Sequence, residues 1–406
     1  MSQHNDRADR TDRNLLATLG AGLFTNGVWD MLSVIVPLYA VAVGLNAAEI
    51  GLIVAARSVL PAVLSIHGGI LMDQLGTRRV LLWVAVGSTA LPLLYPVCGW
   101  FALLMLLQLL LGLASALGMA ASQTWAMQMA RGDTAILARY SVATRIGTFI
   151  GPVVVGAAWD YSGAWAAFSC VAVCGAGIIV ATAQSADVSP AQSGQSGQSQ
   201  GQRGAAVLLP RWAPHKDALL LALIPSVAFI LAASFLRNSS GAIQSSLFVV
   251  YLSGIGLSGT LIGMLVAIAE LSGVAGSLLA APVERRLGSY ALVIVCIVVS
   301  LLCISITPLI AHLLAVLVAA CVLRGIVQGI SQPLMYSILS NEVADNRHGA
   351  SVGLRNAVVR LGSIITPAVM GLAAEAYGIA VSFYMIGSVF LLAAAVLALA
   401  ARRLSR

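Results

Sequence analysis

The chain has 406 residues, of which 59% are hydrophobic and 9% charged, and its mean hydropathy is +0.95. Soluble domains carry about 25% charged residues, so this composition excludes a water-soluble fold. The net charge of +7 would suggest nucleic-acid binding in a soluble protein, but in a membrane protein the placement of charges matters more than their sum, and no nucleic-acid partner is predicted.

Apolar runs long enough to cross a membrane occur twelve times along the chain. A helix needs about 20 apolar residues to cross a hydrocarbon layer of roughly 30 Å. The runs cover residues 15–43, 49–72, 80–97, 102–129, 139–160, 165–183, 217–252, 260–283, 290–309, 313–340, 350–375 and 380–401. They are dense in Leu, Ala, Val and Gly and lack strict polar alternation, which argues against a β-barrel. The sequence therefore predicts an all-α membrane protein with helices 1 to 12.

Polar segments divide these helices into two groups. Residues 1–14 and 402–406 form short charged tails, and residues 184–216 contain a Gln/Ser/Gly-rich stretch. Because such a stretch cannot bury apolar surface, it predicts a flexible linker between two six-helix halves, residues 15–183 and 217–401. Helix 1 is too long for the core of a signal peptide, so we expect it to be retained.

The basic residues of the predicted tails, loops and helix ends lie on one side of the membrane. Sixteen Lys and Arg residues fall on the side of the N-terminus, and the loops of the other side contain none. The positive-inside rule then predicts that both termini and the linker are cytoplasmic, in a bacterial-type inner (plasma) membrane.

The two halves repeat each other in sequence. An offset of 212 residues relates helices 1 and 2 to helices 7 and 8, with identical residues at Asn26, Tyr39, Gly44, Leu45, Ile50, Gly51, Leu75 and Gly76. An offset of 215 relates helices 5 and 11, with identical residues at Arg145, Gly147, Ile150, Pro152, Gly156 and Gly163 and with Asp160 matched to Glu375. Such repeats are typical of transporters and predict two pseudo-symmetric six-helix bundles.

The segment after helix 2 contains Gly69, Asp73, Gly76, Arg78 and Arg79. Two glycines, an acid and a basic pair in this order resemble the loop signature of the major facilitator superfamily. Gln74 stands where the superfamily has a further basic residue. The resemblance extends from about residue 15 to residue 401 and implies that these five residues form a cytoplasmic gate.

Helix 5 contains Gly147, Gly151, Pro152 and Gly156. This pattern resembles the motif of the superfamily's proton-coupled drug and metabolite exporters, although Val155 replaces one glycine. Small residues allow helices to approach closely, and proline can bend a helix. The resemblance favours export. The alternative is helix packing alone, because helix 11 carries a related Pro and Gly pattern.

Polar residues inside the predicted helices indicate a central cavity, because intramembrane charges usually face protein or water. The resemblance implies that helices 1, 4, 7 and 10 line this cavity. The predicted cavity residues are Asn26, Trp29, Asp30, Arg57, Gln123, Arg237, Asn238, Glu270, Arg324 and Gln328. In helix 7 the polar face runs through Ser234, Asn238, Gly241 and Ser245. The alternative for the charged residues is that they form structural ion pairs, and the alternative for Trp29 is aromatic packing. Arg145, Arg355 and Arg360 lie nearer the cytoplasm and are assigned to snorkelling or gate contacts.

The leading functional interpretation is a secondary active transporter that works by alternating access and exports a small organic compound in exchange for protons. Asp30 and Glu270 are the predicted proton carriers, because a carboxylate changes its protonation with its exposure. The alternative is import or uniport of an anionic metabolite or chelate, since guanidinium groups suit carboxylate and phosphate.

Other classes of function find little support in the sequence. It contains no GxxxxGK[ST], HExxH or GxSxG motif, so an enzyme is not predicted, and a membrane receptor is likewise disfavoured. No cofactor or metal is predicted, and the six cysteines are interpreted as packing residues. The expected partners are a small molecule, protons and the lipid bilayer, with the protein acting as a monomer.

Overall fold

The computed structural model describes residues 2–130, 133–184, 223–342 and 348–404, almost all of which are helical. Within these ranges there is no β-strand, so the predicted all-α class is confirmed. The linker predicted at residues 184–216 lies outside the described residues, apart from Gln184.

The first half contains six helices. The first four are α1 (Ser2–Ala42), α2 (Ala47–Leu75), α3 (Thr77–Ala90, followed by a 3-10 turn at Pro92–Val97) and α4 (Phe101–Ala130). The next helical run, Thr134–Gln184, is interrupted at Gly163, where φ is 71° and ψ is −158°. We call the part before this glycine α5 and the part after it α6. Helix α1 begins inside the segment predicted as a polar tail.

The second half repeats this arrangement. Its helices are α7 (Pro225–Ile243, continued by a π turn at Gln244–Phe248 and by Val249–Gly254), α8 (Gly259–Leu287), α9 (Ser289–Ser305, followed by Thr307–Ile310), α10 (Leu314–Glu342), α11 (His348–Tyr377) and α12 (Ile379–Leu404).

Ten of the described helical runs are long and apolar enough to cross a membrane, and α9 is a shorter apolar helix. One of the ten runs, Thr134–Gln184, contains two spans, α5 and α6, which gives eleven spans. With α9 the total is the predicted twelve. Because the chain reverses direction at each loop, both chain ends lie at one end of the bundle. We call this the terminal end and the other the opposite end.

Glycines with a left-handed backbone mark corresponding loops in the two halves. The six described glycines with positive φ form three pairs at the sequence offsets: Gly44 and Gly256, Gly76 and Gly288, Gly163 and Gly378. Side chains with a Cβ rarely adopt this conformation, so each glycine allows the chain to leave one helix and enter the next. The repeat seen in the sequence is thus also a repeat of the backbone.

The two halves meet where α2 packs on α11 and α5 packs on α8. Near the opposite end these crossings bring backbone against backbone. A Cβ atom added to Gly51 would overlap the carbonyl oxygen of Pro367, and one added to Gly263 would overlap that of Pro152. These glycines therefore let the halves close tightly at the opposite end.

Small residues also bring α8 against α10 within the second half. A Cβ atom on Gly325 would overlap the carbonyl oxygen of Ala269, and one on Gly329 would overlap that of Gly273. This packing holds Glu270 of α8 close to the polar face of α10.

Candidate functional site

A cavity of about 470 Å³ lies between α7, α8 and α10. Its polar lining residues are Arg145, Arg237, Asn238, Gln244, Glu270, Ser277, Arg324, Gln328, Gln332 and Tyr336. All of them belong to the second half except Arg145 of α5. Arg145, Gln332 and Tyr336, which lie nearest the terminal end, are exposed. Since the glycine crossings close the opposite end, the cavity opens towards the terminal end.

The charges on the cavity wall are unequal. Three arginines and one glutamate line it, which gives a formal charge of +2 from +3 and −1. Because a cavity surrounded by apolar helices screens charge less than water does, this excess creates a strongly positive potential.

Arg237 is held in place by residues of α10. Its Nε donates to Ser331 Oγ at 2.9 Å, and its Nη2 donates to the Gln328 carbonyl oxygen at 2.9 Å and to Gln332 Oε1 at 3.1 Å. The Gln328 amide in turn donates to the Arg237 carbonyl oxygen at 3.1 Å. Among the described residues, the Nη1 of Arg237 has no hydrogen-bond partner.

Arg324 lies deeper, with 4% of its surface exposed. Its Nη2 donates to Gln244 Oε1, which is the one hydrogen bond of its guanidinium group to a described residue. Gln244 begins the π turn of α7, a helix irregularity that is frequent at functional sites. Regular helical spacing predicted Ser245 on the polar face of α7. The π turn, which spacing does not predict, begins at Gln244, and it is Gln244 that lines the cavity.

Trp29 of α1 is contacted by an arginine from each half. The Arg57 guanidinium lies 3.5 Å from the centroid of the indole ring and donates to the Trp29 carbonyl oxygen, while that of Arg360 lies 5.7 Å from the centroid. Arg57 is 6% exposed, and its Nε has no hydrogen-bond partner among the described residues. These three residues do not line the cavity described above.

Asp30 lies beside this arginine cluster on α1. Its carboxylate forms a hydrogen bond with the Thr148 side chain and interacts electrostatically with Glu270, Arg57 and Arg145. The two acids predicted to carry protons are therefore close enough to interact electrostatically across the interface between the halves.

Two predicted cavity residues of the first half have other surroundings. The Asn26 amide donates to the Gly22 carbonyl oxygen at 2.8 Å within α1, and Gln123 is exposed on α4. In the second half, the Asn238 amide lies on the cavity wall and donates to the Val359 carbonyl oxygen at 2.8 Å and to Ser363 Oγ at 2.9 Å, which ties α7 to α11.

The Major Facilitator Superfamily model matches residues 18–339 and 229–406. The chain belongs to the major facilitator superfamily. It is a transporter and not an enzyme, as the sequence predicted.

Solved structures of two other transporters share its fold. A mutant form of the nucleoside transporter NupG has a TM-score of 0.78 at 16% identity, over 97% of this chain and 100% of the other. A bacterial homologue of the human lysosomal transporter Spinster, in an inward-facing and unoccupied conformation, has a TM-score of 0.74 at 15% identity, over 97% of each chain. No curated protein matches the sequence.

The gate motif of the superfamily lies at the terminal end of α2. Gly69 and Asp73 are part of α2, and the surroundings of the Asp73 side chain lie outside the described part of the structure. Arg78 Nε donates to the Thr182 carbonyl oxygen at 3.2 Å, linking α3 to α6, and Arg79 is exposed. The remaining glycine, Gly76, has positive φ and separates α2 from α3.

The helix 5 motif forms contacts with two different helices. Gly147 and Gly151 pack against α1, where a Cβ on Gly147 would overlap the Leu23 carbonyl oxygen. Pro152 and Gly156 pack against α8 of the other half. The motif therefore lets α5 approach one helix of its own half and one of the second half.

Arg355 of α11 is bound next to the cavity. Its Nε donates to Ser234 Oγ at 3.0 Å, its Nη1 donates to the Tyr336 hydroxyl at 2.9 Å, and its guanidinium lies 4.4 Å from the centroid of that ring. Its described partners therefore belong to α7 and α10.

Five polar lining residues were absent from the predicted cavity set or assigned elsewhere: Arg145, Gln244, Ser277, Gln332 and Tyr336. Gln332 and Tyr336 continue the four-residue spacing that begins with Arg324 and Gln328, so extending that helical face would have found them. Arg145 was assigned to the cytoplasmic side because of its position along helix 5. Gln244 has no signal in the spacing, since it depends on the π turn.

Proposed function

We propose that this protein exchanges protons for a small organic compound by alternating access, with the cavity between α7, α8 and α10 as the substrate site. The observation that carries the proposal is the proximity of Asp30 and Glu270. They are carboxylates close enough to interact electrostatically, one in each half, beside a cavity that is open at one end and closed at the other.

The chemistry of coupling follows from the surroundings of these acids. A carboxylate facing water or a guanidinium group favours the ionised form, whereas a desolvated one favours the neutral form. When the halves move, Asp30 and Glu270 change both their access to water and their distance from the arginines. A proton taken up from one side is then released to the other.

The direction of transport is inferred from sequence features. The basic residues of the terminal side orient that end towards the cytoplasm, so the cavity faces the cytoplasm in this conformation. The Gly and Pro motif of α5 resembles that of proton-coupled exporters. Together these features favour export from the cytoplasm.

Import or uniport of an anionic compound is the second candidate. It is favoured by the three arginines on the cavity wall, which exceed the single acid there.

Transport by the purified protein in proteoliposomes tests the proposal. Uptake and efflux are measured for anionic, neutral and cationic compounds, with and without an imposed pH gradient and with a pH-sensitive dye inside. We expect a transported compound to accumulate only when the gradient is present and to lose this accumulation when a protonophore is added. The Asp30→Asn/Glu270→Gln double variant is the control. Transport of a compound at the same rate and to the same level with and without the gradient would establish a uniporter instead.

A further inference from the structure

We infer that the transported compound carries an oxyanion, a carboxylate or phosphate group, that binds between Arg237 and Arg324, with Glu270 as the resident counter-ion. The inference rests on the proposed function, since it takes this cavity to be the substrate site.

Arg324 is the first part of the argument. It is 96% buried, because 4% of its surface is exposed, and it lines the cavity. Only its Nη2 has a partner among the described residues, the Gln244 side chain. Burying a guanidinium with open donors is unfavourable unless a ligand or water completes its hydrogen bonds. The open Nε and Nη1 therefore suit an acceptor that enters through the cavity.

Arg237 presents a second open donor to the same space. Its Nε and Nη2 are bound to residues of α10, the helix that carries Arg324, and its Nη1 remains open among the described residues. Arg237 is repelled electrostatically by Arg355 and, less strongly, by Arg324. An anion between Arg237 and Arg324 offsets part of this repulsion and offers acceptors to both. Carboxylate and phosphate oxygens suit this arrangement well.

Glu270 offsets part of the positive charge on the cavity wall. It lies on the same wall and attracts both arginines electrostatically. One acid does not balance three arginines, however, and the formal charge of the wall remains +2. A cationic compound is repelled by this excess, and a neutral compound leaves it uncompensated. An anion offsets it.

Equilibrium binding to the purified protein in nanodiscs tests the inference. The probes are monocarboxylates, dicarboxylates, sugar phosphates and nucleoside monophosphates, each compared with its uncharged amide, sugar or nucleoside. We expect binding by a carboxylate or a phosphate series, with the charged member at least tenfold tighter than its uncharged counterpart. Equal affinity of charged and uncharged members, or binding by no anion of the panel, would overturn the inference.

Charge variants separate a ligand site from a structural role. Arg324→Gln and Arg237→Gln should each weaken anion binding at least tenfold, while Arg324→Lys should retain part of the affinity. Glu270→Gln should strengthen it several-fold, because a competing negative charge is removed. Loss of folding alone cannot produce these opposite signs. Arg286→Gln, at an exposed site, is the control and should leave the affinity unchanged. Weaker binding in the Glu270→Gln variant would contradict the role of Glu270 as counter-ion.

The outcome is independent of the test for proton coupling. Accumulation of an uncharged compound under a pH gradient would support the proposed function and reject the oxyanion site. Tight anion binding without any effect of the gradient on transport would support the oxyanion site and reject proton coupling.

A separate observation concerns the opposite end of the molecule. Asp160, at the end of α5, accepts hydrogen bonds from the backbone amides of Gly259 and Thr260 at 2.7 Å each and from Thr260 Oγ1 at 2.6 Å. Gly259 and Thr260 begin α8, which belongs to the other half. The first amides of a helix lack partners within the helix and lie at its positive end, so they bind a carboxylate well.

The symmetry-related position repeats this contact. Glu375, at the end of α11, accepts a hydrogen bond from the Ala47 amide at 3.1 Å, and Ala47 begins α2 of the first half. The offset of 215 relates Asp160 to Glu375, and the offset of 212 relates Ala47 to Gly259. Each half thus extends one carboxylate to a helix start of the other.

We propose that Asp160 and Glu375 are paired latches that hold the opposite end closed and release when the cavity opens there. Both contacts cross between the halves at the place where the glycine crossings bring them together. Any movement that separates the halves at this end must break them.

Distances between spin labels at Tyr161 and Tyr377, two exposed residues near the latches, test this proposal in a cysteine-free background. The Asp160→Asn/Glu375→Gln double variant should at least double the fraction of molecules with a long distance, and each single variant should shift the distribution in the same direction. Glu49→Gln is the matched control, because Glu49 accepts from the Asn46 amide at 3.0 Å within its own half and should leave the distribution unchanged. An unchanged distribution in a double variant that purifies as a single species would overturn the proposal, as would an equal shift in the control.

Discussion

At the scale of single residues, the buried arginines are held without carboxylate partners among the described residues. Arg57 stacks on Trp29, Arg237 donates to α10, and Arg355 binds the Tyr336 ring and hydroxyl. The planar guanidinium favours aromatic faces and several acceptors at once. Asp30 forms a hydrogen bond with the Thr148 side chain rather than an ion pair with a described residue.

Asp30→Asn should abolish accumulation of substrate against a gradient while retaining downhill flux or exchange. Asparagine has nearly the size of a protonated aspartic acid and can still bond to Thr148, so the variant should fold and imitate the permanently protonated state. Counterflow and gradient-driven transport in proteoliposomes separate the two activities, with Glu270→Gln as the comparison. Uphill transport by a well-folded Asp30→Asn protein, with unchanged pH dependence, would exclude Asp30 as the coupling residue.

At the scale of helices, glycine residues determine which helices can pack closely, because glycine has no side chain. Gly147 on α5 and Gly325 on α10 each bring one backbone against another, and a Cβ at either position would overlap a carbonyl oxygen. Dispersion contacts between closely packed backbones replace the hydrophobic driving force that lipid removes.

Gly147→Ala should destabilise the protein by about 1 to 3 kcal/mol, the usual cost of overpacking, because α5 must move away from Leu23. Thermal unfolding in detergent measures the effect. Gly353→Ala is the control, since nothing lies within 4 Å of a Cβ added there. Alanine also raises helix stability by about 0.8 to 1.0 kcal/mol relative to glycine, so this variant should be neutral or more stable. A Gly147→Ala protein as stable as the parent would show that the close contact is not required.

At the scale of the whole molecule, sixteen basic residues on one side predict its orientation in the membrane. A cysteine at Tyr161, at the opposite end, should react with a membrane-impermeant maleimide in intact cells. A cysteine at Asp133, at the terminal end, should react only after the membrane is permeabilised. Both substitutions are made in a background without the six native cysteines, and both sites are exposed. The reverse labelling pattern would invert the topology.

The sequence by itself determined the fold class, the twelve spans and the division into two halves. These features depend on the length of apolar runs and on residues such as Gly44 and Gly256, which are local properties of the chain. The membrane strengthens such predictions, because backbone polar groups in lipid must be satisfied within the helix itself.

Only the tertiary structure decided which polar residues share a cavity. Intramembrane charge pointed to Arg237, Glu270 and Arg324. It did not distinguish them from Asp30 and Arg57, which lie outside the cavity described here. The residues that a polar side chain meets depend on the depth and rotation at which two helices cross. Depth and rotation are set by close contacts such as that between Gly329 and the Gly273 carbonyl oxygen. The pattern of one helix defines a face, whereas the neighbour that meets this face is determined by packing between helices far apart in the chain.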